Sequence, residues 1–318
     1  MKILVTGHSG LLGSNLVPLL EAHGHEVYGV SRTDRMRMGK NSFQIDLADL
    51  QLPSACEFVF QTVKPEIVFH LAACASEAKG QVSPMDMTRR NLVITTNVIR
   101  NAVNVGVKKI IYASSVSVYG DSPTPYLETA TPKPKDVYGV NKLAGEQVLK
   151  IMSDVYGFDY TIFRPHNLYG PGQNPNDLTK NVINLFMRRI LEEKPYTIMG
   201  GGSVLRGFSY AGDVAQIFAK AVTEFSHLTM NVGTKQVHTI KELSDKLQAI
   251  SGSTVPIEYQ PLRKQEIDVF IADHKRQDQM THYHETPLQE GLQKTWEWMK
   301  KQELCAVVEI PKEIYVQV

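Results

Sequence analysis

Lys2-Ile-Leu-Val-Thr6 runs without a break into Gly7-His-Ser-Gly10-Leu-Leu-Gly13, and this junction decides the fold. The first five residues are a short apolar run suited to a strand buried on both faces. A helical pattern follows, ending near His23-Gly24, and a second strand is expected over Glu26 to Ser31. Strand, glycine triplet, helix and strand in that order are the parts of a doubly wound parallel sheet, an α/β fold. Gly7, Gly10 and Gly13 permit a tight turn, let a backbone approach a pyrophosphate and allow close helix-to-strand packing. Ser9, Leu11 and Leu12 lie where the helix N-terminus attracts phosphates. A dinucleotide site is expected there. Pro18 falls inside the helix, where it removes a hydrogen bond and costs about 3 kcal/mol, so a kink is expected.

Further along, the second strand ends at Ser31, followed by Arg32 and, beyond it, Asp34. An acidic residue at the strand end would suit the ribose hydroxyls of NAD, whereas a small hydroxyl beside a guanidinium suits the 2′-phosphate of NADP. Arg32 also reads as an exposed arginine in a loop that holds Arg35 and Arg37. After a strand expected over Ser42 to Ile45, Asp46 with Leu47 beside it meets the adenine edge or caps the next helix. Glu66 to His70 reads as another strand, and Leu71, Ala72 and Ala73 after it are small enough, or short enough in chain, for a cofactor to pass close. Cys74 reads as a packing residue, with no partner base visible. Met85 to Val105 carries helical spacing, with Asn91 and Thr95 on one face, where they would hold water or backbone near the site or pack the helix on the sheet.

Lys109 to Ala113 is a further strand, and Ser114-Ser-Val-Ser-Val-Tyr-Gly120 stands at its C-terminal end. In open parallel sheets ligands sit at that end, so Ser115 and Ser117 face the crevice by position. Asp136 can cap a helix that spans Val137 to Tyr156 and stops at Gly157. On it Tyr138 and Lys142, four residues apart, share a face. A cation beside a phenol favours the phenolate and lowers a pKa that is normally about 10, giving a general base usable near neutrality. The same spacing is common on solvated helix faces; the glycine turn and serine cluster earlier in the chain favour the chemical reading.

Length and charge bound the rest. The chain has 318 residues and a net charge of +1, which leaves no electrostatic footprint for nucleic acid or anionic lipid. Three cysteines, Cys56, Cys74 and Cys305, stand in no disulfide or metal-ligand spacing. No apolar run reaches membrane-spanning length and the first strand starts at Lys2, so a cytoplasmic protein without a signal peptide or membrane contact is expected.

Taken together these segments resemble the extended short-chain dehydrogenase/reductases, in the NAD-dependent epimerase/dehydratase branch that acts on nucleotide sugars. Ser115 occupies the family's serine or threonine position, and Tyr138 and Lys142 match its Tyr-x-x-x-Lys. Arg164-Pro-His-Asn-Leu-Tyr-Gly-Pro-Gly172 is similar to the family's Arg-x-x-Asn-x-Tyr-Gly-Pro, which implies Pro165 near the cofactor and Asn167 on the substrate. Leu205-Arg-Gly-Phe-Ser-Tyr-Ala-Gly-Asp213 and Pro261-Leu-Arg263 resemble the segments that bring Arg206 and Arg263 to the nucleotide diphosphate. The resemblance implies a Rossmann-type sheet with a smaller C-terminal substrate-binding lobe. It divides the chain into a dinucleotide-binding part, 1–165 with about 208–235, a lobe of 166–207 and 236–305, and a tail, 306–318. It also implies a homodimer formed through the helix holding Tyr138 and the one at Met85 to Val105.

Departures narrow the chemistry. Family dehydratases carry an acidic pair where this chain has Val116 and Ser117, so 4,6-dehydration lacks its acid and base. Gly207 and Gln265 stand where the family has Asp and Gly. His282 and His284 form a His-x-His pair without a third ligand nearby in sequence, and no metal is expected. The resemblance implies C4 epimerisation of a nucleoside-diphosphate hexose through a 4-keto sugar, with catalytic Ser115, Tyr138 and Lys142 and a bound NAD. An NADPH-dependent 4-ketoreductase of nucleotide-deoxysugars is the alternative, and Arg32 is its support.

Overall fold

The computed structural model describes residues 1–30, 49–177, 181–261 and 269–305. The expected strand at 42–45 and the positions of Ser31, Arg32, Asp34, Asp46, Leu47, Arg263, Gln265 and the 306–318 tail lie outside them. Five strands, β1 (Lys2–Thr6), β2 (Glu26–Val30), β3 (Ile67–His70), β4 (Lys109–Ala113) and β5 (Asp159–Pro165), join with Leu228–Val232 in one sheet. Its order is Leu228–Val232, β5, β4, β3, β1, β2, and every pairing is parallel. Near-continuous burial along β1, β3 and β4 explains their unbroken apolar sequences, because helices cover both faces.

Helix α1 (Leu11–Ala22) and the helix Ala211–Lys220 pack on one face through Leu16, Val17, Leu20, Val214 and Phe218. On the other face α2 (Pro53–Val63), Ile94–Asn104 and Val137–Tyr156 supply Phe60, Val98, Ile99 and Leu149. Fully burying each such aliphatic or aromatic side chain is worth about 1.5–3 kcal/mol, so these two layers hold the sheet. The chain leaves β1 to one side for β2 and returns to the other for β3. The crevice above the C-terminal ends of β1 and β3 is therefore the topological switch point, where open α/β sheets bind ligands.

A second, smaller core is built by later segments of the chain. Helices Val182–Leu191, Ile240–Ser251 and Leu288–Met299 pack there with the parallel strand pair Tyr196–Met199 and Ile257–Gln260, burying Phe186, Ile198, Leu243, Leu292 and Trp296. Helix α1 continues through Pro18 to Ala22, so the proline does not end it. The single helix expected over Met85 to Val105 is three pieces: Pro84–Thr88, a π-helical turn at Arg89–Val93, and Ile94–Asn104. A π turn adds one residue to the hydrogen-bonded ring and is a frequent mark of functional sites.

Candidate active site

At the foot of the crevice Gly7 has φ +76°, and a Cβ built on it would stand 2.9 Å from the backbone of Ala72. A Cβ on Gly13 would stand 2.4 Å from the Gly7 carbonyl. These two positions require glycine, one for a left-handed backbone against a neighbouring loop, the other for close seating of α1 on the turn. Gly10 caps α1 without any side-chain hydrogen bond, and no acidic residue stands in the first turn. The N–H groups at this terminus and its positive dipole end, flanked by Ser9, Leu11 and Leu12, therefore suit a pyrophosphate.

The adjoining wall is fixed from beneath by a directional chain of hydrogen bonds. The Ala72 N–H donates to Thr6 Oγ1, which lies 2.7 Å from His70 Nδ1. His70 Nε2 lies 2.9 Å from Thr95 Oγ1, and Thr95 donates at 2.6 Å to the Asn91 carbonyl. Thr95 has spent its proton, so His70 donates from Nε2 and accepts from Thr6 at Nδ1. Burial above all, with Lys142 nearby, pushes His70 down to about 3, which keeps this tautomer neutral. The Asn91 side chain accepts from the Cys74 N–H and donates to the Cys74 carbonyl, so it holds the loop that leads away from Leu71, Ala72 and Ala73.

The helix Val137–Tyr156 forms as its ends dictate. The Asp136 carboxylate accepts from the Gly139 N–H at 2.9 Å, and Gly157 closes it at φ +76°. Gly139 and Gly145 lie where a Cβ would meet Ser117 O at 2.5 Å and Tyr112 Oη at 2.6 Å, so the helix presses directly on the serine segment and the sheet. Tyr138 and Lys142 are both buried, not on a solvated face. Lys142 Nζ donates to the Ala113 carbonyl at 2.7 Å and stands 4.8 Å from the Tyr112 ring centroid and 5.8 Å from that of Tyr138. Desolvation lowers Lys142 to about 7, with the Glu146 carboxylate opposing the shift. Ser115 caps a short turn, Val116–Val118; its hydroxyl accepts from the Ser117 N–H and donates to the Ser117 hydroxyl, both at 3.1 Å. Ser115, Ser117, Tyr138 and Lys142 thus meet at the C-terminal end of β4.

Two of the substrate candidates, Asn167 and Arg206, lie among the described residues and sit close to Gly207. Asn167, at φ +41°, donates from Nδ2 to the Gly207 carbonyl at 3.0 Å, and Arg206 donates to the Leu205 carbonyl at 2.9 Å. Pro165, buried at the end of β5, pairs in register with Val232. Behind them is a pair that sequence reading missed: the His166 and His274 Nε2 atoms are 3.1 Å apart and both rings are buried. A Cβ on Gly207 would lie 2.8 Å from His166 Cε1, which explains why glycine replaces the family's Asp there. Also missed was the buried ion pair of Arg164 with Glu146, although Glu146 stands four residues beyond Lys142 on an amphipathic helix and so had to face the sheet. His282 and His284 are exposed, and among the described residues no three His, Cys, Asp or Glu side chains are grouped to hold a metal. Among those residues, too, no helix is long and apolar enough to cross a membrane.

Residues 3–233 match the model of the NAD dependent epimerase/dehydratase family. The chain belongs to this family. It is 30% identical over 310 residues to a UDP-glucose 4-epimerase of Mycolicibacterium smegmatis, covering 94% of this chain and 99% of that one. A UDP-glucuronate 4-epimerase of Thermodesulfobacterium geofontis is 28% identical, with 94% and 96% covered. Among solved structures, UDP-glucose 4-epimerase from Thermotoga maritima with UDP-glucose superposes with a TM-score of 0.88 at 30% identity, covering 95% of this chain and 99% of that one. The Thermus thermophilus UDP-glucose 4-epimerase complexed with NAD gives 0.86 at 27% identity, with the same coverage. The Rossmann-type sheet and smaller C-terminal lobe are those of these family epimerases.

Proposed function

We propose that this protein epimerises a nucleoside-diphosphate hexose at C4, using a nicotinamide cofactor that stays bound. One observation carries the reading: a buried lysine stands beside Tyr138 and the Ser115 turn, above a glycine cradle shaped for a pyrophosphate. Full-length similarity to UDP-glucose and UDP-glucuronate 4-epimerases supports it. The turn at Val116 and Ser117 offers no carboxylate, which disfavours dehydration. NAD is the cofactor named for related structures; the residues that suggested NADP, Ser31 and Arg32, lie outside the described residues.

The cradle of Gly7, Ser9, Gly10, Leu11, Leu12 and Gly13 fits the pyrophosphate, and Leu71, Ala72, Ala73, Asn91 and Pro165 would line the path to the reactive ring. Ser31, Arg32, Asp46 and Leu47 are placed by the sequence at the adenosine end. A nicotinamide cofactor held there would supply reversible hydride transfer at C4. Ser115 and Tyr138 hold the 4-hydroxyl, and the Tyr138 phenolate removes its proton. Lys142 holds the nicotinamide ribose and keeps the phenolate charged. Asn167 contacts the substrate, Arg206 and Arg263 anchor the diphosphate while the planar 4-keto sugar turns over, and Tyr138 then returns the proton to the new alcohol.

A homodimer completes the proposal. On the helix Val137–Tyr156, Val140, Ile151 and Val155 are 51%, 59% and 67% exposed at helical spacing, an apolar stripe that a second copy would cover. Sedimentation of the purified protein tests this: a dimer is expected, and a monomer at micromolar concentration refutes it. The reaction is tested by supplying UDP-, GDP-, CDP- and dTDP-hexoses without added cofactor and following the anomeric NMR signals, where a C4 epimer is expected from at least one.

A further inference from the structure

The turn that carries Ser115 is gripped at both ends by a single buried ion pair. Glu146 lies one helical turn beyond Lys142, on the same helix, and is fully buried. Its carboxylate accepts from the Ser114 hydroxyl at 2.5 Å, from Arg164 Nε at 2.8 Å and from Arg164 Nη2 at 2.6 Å. Arg164, on β5, donates from Nη1 to the Tyr119 hydroxyl at 2.8 Å, and its guanidinium lies 4.8 Å from that ring's centroid. Ser114 and Tyr119 are the two residues that bracket Ser115-Val-Ser-Val118. The Tyr119 hydroxyl donates to Asn231 Oδ1 at 2.8 Å, and Asn231 Nδ2 donates to the carbonyls of Tyr126 and Asp273. A continuous polar line therefore runs from the helix of Tyr138, across the sheet, to the segment that enters the helix Lys275–Thr281.

We propose that Glu146 and Arg164 are positioning residues for the reaction, fixing the Ser115 hydroxyl relative to the Tyr138 phenol. The inference rests on the epimerase reading above. Under it, Ser115 and Tyr138 grasp one sugar hydroxyl from two different elements, so the spacing between turn and helix sets the reaction geometry. Three direct ties hold that spacing. The Ser117 carbonyl lies against Gly139, Lys142 donates to the Ala113 carbonyl, and Ser114 donates to Glu146. Under that reading Lys142 would share its protons with the cofactor ribose, whereas the fully buried Glu146 is satisfied by Ser114 and Arg164. The bidentate fork from Arg164 leaves one carboxylate edge directed at Ser114, and the third guanidinium nitrogen settles the far end of the turn at the same time. A misplacement of about 1 Å in such a constellation can cost on the order of a hundredfold in rate.

The test uses conservative variants in the full chain. Ser114→Ala cuts the tie while leaving the Glu146–Arg164 pair intact, and Tyr119→Phe frees the far end while keeping the ring. Each is expected to lower kcat by about tenfold or more, to change KM for the nucleotide sugar by less than about twofold, and to retain bound cofactor. The primary isotope effect measured with substrate deuterated at C4 is expected to rise, because the hydrogen-transfer step becomes limiting; loss of folded protein alone would not move it. Ser114→Thr, which keeps the donor, is expected to restore the rate. Glu146→Gln is expected to speed amide exchange of residues 115–119, read with or without substrate. Wild-type kcat and isotope effect in a folded Ser114→Ala protein would overturn the inference. A wild-type protein that turns over no nucleotide sugar would instead overturn the epimerase reading, and unchanged exchange in Glu146→Gln would then remove the grip itself.

Discussion

Lys142 carries charge where burial opposes it, and the two tendencies set a testable trade between stability and activity. Its ammonium is 2% exposed and its pKa falls from 10.5 to about 7 on folding, chiefly by desolvation. Between those values the folded protein binds fewer protons than the unfolded chain, so stability rises with pH across that window. The penalty is complete below about pH 7 and vanishes above 10.5; its size is on the order of 4 kcal/mol. Lys142→Met should therefore raise the melting temperature of cofactor-free protein at pH 6, by several degrees in calorimetry, while abolishing turnover. Tyr138→Phe should retain bound cofactor and lose about 100-fold or more in kcat. Undiminished turnover in that variant would remove Tyr138 from the mechanism.

Among the elements, most of the architecture was legible because its signals are local. Asp136 and Gly157 announce the ends of the helix Val137–Tyr156, and the run Lys2–Thr6 with Gly7 announces the cofactor turn. The π turn at Arg89–Val93 was not legible: its residues keep helical periodicity, and the Asn91 side chain within it is held by Cys74, from a segment before the helix. The His166–His274 pair was equally hidden, since the two rings are separated by more than one hundred positions and nothing local marks them. Of the candidate site, Ser115, Tyr138 and Lys142 could be read because motif spacing and helix geometry act over a few residues. Their burial could not, because it depends on Gly139 and Gly145 meeting distant backbone and side chain. The glycine at 207 leads to a prediction. Gly207→Asp should destabilise the protein by about 1–3 kcal/mol through overpacking on His166, and His166→Ala in the same chain should recover much of that in denaturant titration.

For the molecule as a whole, the buried histidines fix how it responds to acid. His166 and His274 are pushed down to about 3 and about 4, first by desolvation, then by His274 for His166 and by Lys235 for His274. Their folded pKa values lie below the unfolded 6.5, so the stability they confer is full above pH 6.5 and is lost as pH falls toward about 4. Each contributes on the order of 3 kcal/mol to that loss. A His166→Leu, His274→Leu double variant should show a flatter fall in denaturation midpoint between pH 6.5 and 4 than the parent; an equally steep fall would assign the acid sensitivity elsewhere. Above neutrality the two lobes and the sheet should hold the cofactor cradle and the serine turn in register, which is what a reaction returning hydride to the opposite sugar face demands. That demand defines the most direct measurement. Purified protein, with no nucleotide cofactor added, is incubated with a UDP-hexose and followed by proton NMR. The account predicts steady growth of the C4 epimer's anomeric signal to equilibrium, without net change in nicotinamide absorbance. No conversion of any nucleotide hexose unless reduced cofactor is supplied and consumed stoichiometrically, or no conversion at all, would contradict it.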